Sequence, residues 1–183
     1  MISTKLNNRL QLAVMFTTLA IVAPGALAAG THGHGKSVDT GKPGDPAKVS
    51  RTIEVSMFDN YYEPESLSIK EGETVRFIVR NKGALVHEFN IGTAEQHVAH
   101  QPEMLMMVEH GVLKVDRIDL DAARAMQASM GHGMHEEPNS VLLEPGQSAE
   151  VIWKFTEAMP MEFACNMPGH YDSGMMGDIT VTP

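Results

Sequence analysis

Two stretches of the chain, residues 52–92 and 140–181, place apolar side chains at every second position. Ile53, Val55 and Met57 alternate with Thr52, Glu54 and Ser56, the period of a strand with one buried face. Leu67 and Ile69 repeat the pattern. After a turn at Glu71-Gly72, Val75, Phe77 and Val79 alternate with Thr74, Arg76 and Arg80, and an apolar run over residues 85–91 follows. Pro145-Gly146 turns the chain between SVLLE and SAEVIWKF, where Val151, Trp153 and Phe155 share a face. Met161, Phe163 and Cys165 share another, which directs the cysteine inward. Ile179 and Val181 come last. About eight short strands separated by turn signals, with no helix alternating between them, predict an all-β, antiparallel Greek-key sandwich.

The chemistry gathers in residues 164–177, ACNMPGHYDSGMMG, which hold the lone cysteine. Cys165 offers a thiolate, His170 an imidazole and Met175 a thioether, and Pro168-Gly169 supplies a turn that brings the loop back on itself. A thiolate with imidazoles and a weak axial thioether is the donor set of blue-copper sites. The set lacks one histidine. His87, in NKGALVHEFNIG at the end of a strand-like run, is the natural second imidazole. A buried structural cysteine beside a surface histidine would be the plainer reading, but it leaves the methionines and the Pro-Gly turn unexplained.

The segments TIEVSMFDNYYEPESLSIKEGETVRFIVRNKGALVHEFNIG and MEFACNMPGHYDSGMMGDITV resemble the cupredoxin family, and among its members the periplasmic copper-tolerance cupredoxins of the CopI type. The resemblance implies a cupredoxin-like sandwich, copper as cofactor, and a mononuclear site formed by His87, Cys165, His170 and Met175. Met167 and Met176 stand close enough to leave the axial position open. Plastocyanins and azurins usually follow the first ligand histidine with Asn, which braces the ligand loops. Here Glu88 stands in that place, so a different set of bracing hydrogen bonds is expected.

Between Gly92 and Ser140 the period changes from two to that of helices, which marks an insertion at about residues 93–139. Pro102 is placed where a first helical turn accepts it and Gly111 where a helix stops; a second helix is expected over about residues 120–130, before Gly131. The insertion carries His97, His100, His110, His132 and His135 with Met104, Met106, Met107, Met126, Met130 and Met134. Helical methionines commonly pack. The small polar cluster from Met130 to His135 has two readings, an auxiliary Cu(I) site of thioethers and imidazoles or a disordered segment.

At the N-terminus, Lys5 and Arg9 precede an apolar run at residues 12–23, then Pro24-Gly25 and Ala26-Leu27-Ala28, the layout of a signal peptide over residues 1–28. The run is shorter than the roughly 20 residues that span a bilayer, so an exported, periplasmic protein without membrane insertion is expected. Residues 29–48, rich in Gly, Pro and small polar residues, are expected to be a flexible leader, with the domain proper over 49–183. His32 and His34 fall in that leader as solvated residues; cleavage after Ala29 would instead set His32 third from a free amine, an arrangement of nitrogens that suits Cu(II). An oxidising compartment also suits a chain with one cysteine, whose thiol then wants a metal.

The net charge is −9, and without the two basic residues of the signal segment 12 basic residues face 23 acidic, giving −11. Nucleic acid is thereby an unfavoured partner. Two functions fit: copper tolerance through binding, and soluble blue-copper electron transfer. The extra soft donors of the insertion favour tolerance, because a carrier needs one metal and an uncluttered docking face. The implied partners are copper ions and a periplasmic redox or copper-transfer protein. An enzyme is disfavoured: multicopper oxidases flank this cysteine with histidines, and here its neighbours are Ala164 and Asn166.

Overall fold

Alternating apolar positions need a second apolar face to cover them, and the chain supplies it by folding into two stacked sheets. The computed structural model describes residues 38–131, 134 and 137–183. The expected signal peptide, the first part of the leader with His32 and His34, and the insertion residues His132 and His135 lie outside the described residues. In chain order the described elements are β1 (Lys42–Pro43), β2 (Arg51–Phe58), β3 (Tyr61–Glu63), β4 (Ser66–Lys70), β5 (Thr74–Asn81), β6 (His87–Gly92), α1 (Ala94–Glu109), α2 (Leu120–Met130), β7 (Ser140–Leu143), β8 (Ser148–Lys154), β9 (Pro160–Ala164) and β10 (Met176–Thr182). One sheet has the order β1-β8-β5-β2-β3 and the other β4-β10-β9-β6-β7.

The inward positions are those the alternation marks. Val55, Met57, Val75, Phe77, Val79, Phe89 and Phe163 are fully buried. Tyr62 stands among them, edge-on to Phe163 with ring centroids 5.0 Å apart. Its hydroxyl donates to the Glu88 carbonyl at 2.7 Å, which satisfies the one polar atom it buries.

The cupredoxin-like sandwich is as expected, but its sheets are mixed. β2 pairs with β5 in parallel, and β4 with β10. The reason is connectivity: the chain leaves β2, contributes β4 to the opposite sheet and returns to lie beside β2 in the same direction. Side-chain period reports which face is buried and carries no information on strand direction.

Two further departures concern local signals. α1 begins eight residues before Pro102, because Thr93 and Gln96 form a reciprocal capping box that starts the helix at Ala94. Pro102 therefore stands inside the helix, where it withholds one backbone donor. Within the stretch expected to be a flexible leader, the described residues make contacts with the sheet: Lys42 and Pro43 pair with Lys154 and Trp153, and the Trp153 indole donates to the Thr40 carbonyl at 3.0 Å. The second helix follows its sequence signals, from the Asp119 cap to Gly131, which adopts φ 70°.

Candidate metal centre

His87 opens β6, a strand buried along its whole length between β7 and β9. Asn81 shapes the approach to it, donating from Nδ2 to the carbonyls of Leu85 and Leu143, each at 2.8 Å. The imidazole is aimed from the other sheet. Asp59 and Asn60 turn the chain between β2 and β3, with Asn60 at φ 78°, a left-handed conformation that Asn tolerates. Asp59 Oδ1 lies 2.8 Å from His87 Nε2 and also accepts from the Ala84 and Leu85 amides at 3.0 and 3.3 Å. The hydrogen bond with His87 holds the Asp59 carboxyl below its usual value. A carboxylate at Nε2 fixes the proton there and leaves Nδ1 as the free donor atom.

That Nδ1 faces Cys165 Sγ at 3.8 Å, and His170 Nδ1 faces the same sulfur at 3.3 Å. Cys165 follows β9 at the sandwich end and is fully buried. The loop then folds on itself through backbone bonds. His170 donates to the Met167 carbonyl at 2.9 Å, Met175 to that of His170 at 3.0 Å, and Cys165 to that of Met175 at 3.1 Å. Gly169 adopts φ 85°, which a residue with a Cβ would resist. His87, Cys165 and His170 present three donor atoms, all within 4.8 Å of one another.

The donor chemistry fits a soft metal ion. Burial pushes the Cys165 thiol up to about 12, the amide of Glu88 at 3.3 Å from Sγ compensating only in part. A sulfur so placed becomes a thiolate when a cation is bound. Burial and then the neighbouring His87 lower the pKa of His170, favouring the neutral ring that a metal requires. Met175 is fully buried and tied by its backbone to both Cys165 and His170. Met176 is half-buried in β10 opposite Ala164, and Met167 is 7 % exposed.

Around these four residues lies a polar shell. The Glu88 carboxylate, 2 % exposed, accepts from the Asn166 amide at 3.1 Å, Asn166 Nδ2 at 2.8 Å and Ser140 Oγ at 2.8 Å. The sequence marks Glu88 as a departure in bracing and Asn166 only as a neighbour of the cysteine, and it gives no signal for Asp59. Their roles depend on contacts across 28 and 78 residues of chain. No local pattern carries such contacts.

A family model described as "Cupredoxin-like domain" matches residues 13–113, a span that contains His87 and ends before the cysteine loop. A Pseudomonas aeruginosa protein named "Copper-resistant cuproprotein CopI" is 47% identical over 169 residues, covering 87% of this chain and 90% of that protein. The chain belongs to the CopI-type cupredoxins. A second relative of this cupredoxin carries the same name in Rubrivivax gelatinosus, at 37% identity over 86% of this chain and 82% of that protein. Among solved structures, auracyanin B superposes with a TM-score of 0.52 at 22% identity, covering 79% of this cupredoxin and 97% of that chain. An auracyanin from Roseiflexus castenholzii gives 0.50 at 22% identity, covering 74% and 99%. These two likenesses describe the fold.

Proposed function

We propose that this cupredoxin is a periplasmic copper-binding protein that contributes to copper tolerance through one mononuclear site. In this reading His87 and His170 would hold the ion through Nδ1, Cys165 through its thiolate and Met175 through its thioether. The carrying observation is the convergence of two imidazole nitrogens and one buried thiol within 4.8 Å. When bound, copper supplies one-electron redox chemistry and an intense thiolate-to-metal absorption. The chain's own residues do the rest: Asp59 sets the tautomer of His87, the sheets exclude water from Cys165, and the loop hydrogen bonds fix the spacing of His170 and Met175. The names of the relatives support the tolerance assignment, and the signal-like residues 1–28 support export of a mature chain that begins near residue 29. Among the described residues no helix is long and apolar enough to cross a membrane.

The insertion supports a second copper equivalent. Met104 and Met107, buried on α1, line a cavity of about 500 Å³ with Met134, and thioethers suit Cu(I). Electron transfer is the rival reading, and one observation favours it: His170 is half-buried between exposed Gly169 and the loop surface, so one ligand edge reaches solvent.

Metal analysis of the purified mature chain and copper sensitivity of a deletion strain test the proposal together. Cys165→Ser should abolish the visible absorption while the domain stays folded, and the deletion strain should fail in excess copper. A deletion that tolerates copper but loses an electron-transfer activity would replace tolerance with the carrier role. A Cys165→Ser protein that keeps the absorption would remove the site itself.

A further inference from the structure

The Glu88 carboxylate joins the metal loop to the insertion. Its Oε2 accepts from both nitrogens of Asn166, the residue after Cys165. Its Oε1 accepts from Ser140 at 2.8 Å and Asn90 at 3.3 Å, and lies 3.3 Å from His100 Nε2 on α1. A second link runs beside the first. Asn166 Nδ2 is also 3.2 Å from His97 Nδ1, and an amide nitrogen has two hydrogens, so it serves Glu88 and His97 together with the neutral histidine accepting. His97 is 1 % exposed, and its ring lies 5.8 Å from that of Tyr171, the residue after His170.

His97 and His100 are three residues apart and thus on one face of α1. Between them they reach the neighbours of all three converging donors: Glu88 beside His87, Asn166 beside Cys165 and Tyr171 beside His170. A helix that only covered the sheet would present apolar side chains here. Burying a carboxylate and two imidazoles is costly unless they hold one another.

We propose that α1 of the insertion is a positioning element of the metal centre, with His97, His100, Glu88 and Asn166 as positioning residues. The first two lock the latter two, and these set the distance between the strand carrying His87 and the loop carrying Cys165. The amide of Glu88 donates to Cys165 Sγ at 3.3 Å, so a shift of Glu88 changes the electron density at the sulfur directly. The proposal rests on the copper reading for its spectroscopic consequences and stands apart from it for its effect on the metal-free chain.

The test uses the full mature chain with His97→Phe, which keeps ring volume and the Tyr171 contact but removes the acceptor, and with His100→Ala at the rim of the network. Metal-free protein is followed by amide hydrogen exchange at Glu88 and Asn166, and protein loaded with copper(II) sulfate by visible and electron paramagnetic resonance spectroscopy. Exchange at Asn166 should rise by about tenfold or more relative to the core of β5. The copper-to-protein ratio should be unchanged, while the absorption maximum and the copper hyperfine splitting shift. His100→Gln, which restores a donor to Glu88, should recover most of the wild-type values. Unchanged exchange and spectra in folded variants would overturn the proposal and leave α1 as a cover. If His97→Phe does not fold, His100→Ala and its His100→Gln rescue decide alone. A wild-type chain that binds no copper would overturn the proposed function, and the exchange at Asn166 would still judge the brace.

Discussion

Replacing Asp59 with Ala should weaken copper binding about tenfold without removing a single donor atom. Asp59 holds His87 Nε2 at 2.8 Å, so without it the ring can rotate and exchange tautomers, and Nδ1 is presented to the metal only part of the time. Outer partners of metal-ligating histidines typically account for about 10–100-fold in affinity, or about 1.4–2.7 kcal/mol. The Asp59 side chain is 43% exposed, so water replaces part of what is lost, and the lower end of that range applies. Two turn amides, those of Ala84 and Leu85, lose an acceptor as well. They lie at the surface, so the stability loss should be about 1 kcal/mol. Gly83→Ala provides an independent route to the same bond. A Cβ there would run into the Asp59 carboxylate and stand 2.9 Å from His87 Nε2, separating the pair with both residues present. Equilibrium competition for Cu(I) against a chelator, with thermal melting to confirm folding, measures the effect. Folded variants that both bind within about twofold of wild type would refute the orienting role.

Met175→Leu should keep copper bound and raise the reduction potential, since losing a donor destabilises Cu(II) more than Cu(I); Met176→Leu should leave the potential where it was, and voltammetry of the two variants checks the assignment. The metal-free protein should lose stability as pH rises from about 6.5 through about 9. Burial works to lower the pKa of His100, but the hydrogen bond and charge of Glu88, with Glu137 and Glu103 adding, raise it to about 9. The stabilisation is therefore complete below the ordinary histidine value and disappears as His100 deprotonates in the folded state. Denaturant melts at about pH 6 and about pH 9.5 should differ in wild type and converge in His100→Ala; equal slopes in the two proteins would rule His100 out as the source.

Much of the sandwich was legible because alternation is a direct physical consequence of pleating: Val75, Phe77 and Val79 announce a buried face and are fully buried. The meeting of Cys165 with His170 was legible for a different reason, since both lie within one turn-containing segment. Strand direction was not, because β5 has the same alternation whether it runs with β2 or against it. The start of α1 was misread because Pro102 is a louder signal than the Thr93–Gln96 box, although it is the box that satisfies the first backbone donors. The pairing of Lys42 and Pro43 with β8 and the bond from Trp153 to Thr40 left no mark in the sequence, because small polar residues have no apolar period and backbone contacts are poorly signalled by side-chain hydrophobicity. The polar brace was the least visible. His97 and His100 occur in a His- and Met-rich segment whose composition suggests ligands, while their contacts point to Glu88 and Asn166.

The pairing of the leader with β8 also fixes an order of events for a chain that emerges N-terminus first. Thr40 meets Trp153 across 113 residues, and His87 meets Cys165 across 78. An early segment thus waits for one of the latest, and the His87 imidazole waits for the cysteine it faces. Closing such long loops is slow. Yet the delay works in favour of the sulfur: the thiol, open to oxidation while exposed, arrives late, by which time β2, β5, β6 and β8 are already available to bury it. A chain with its thiol near the beginning would spend that whole interval with the sulfur bare.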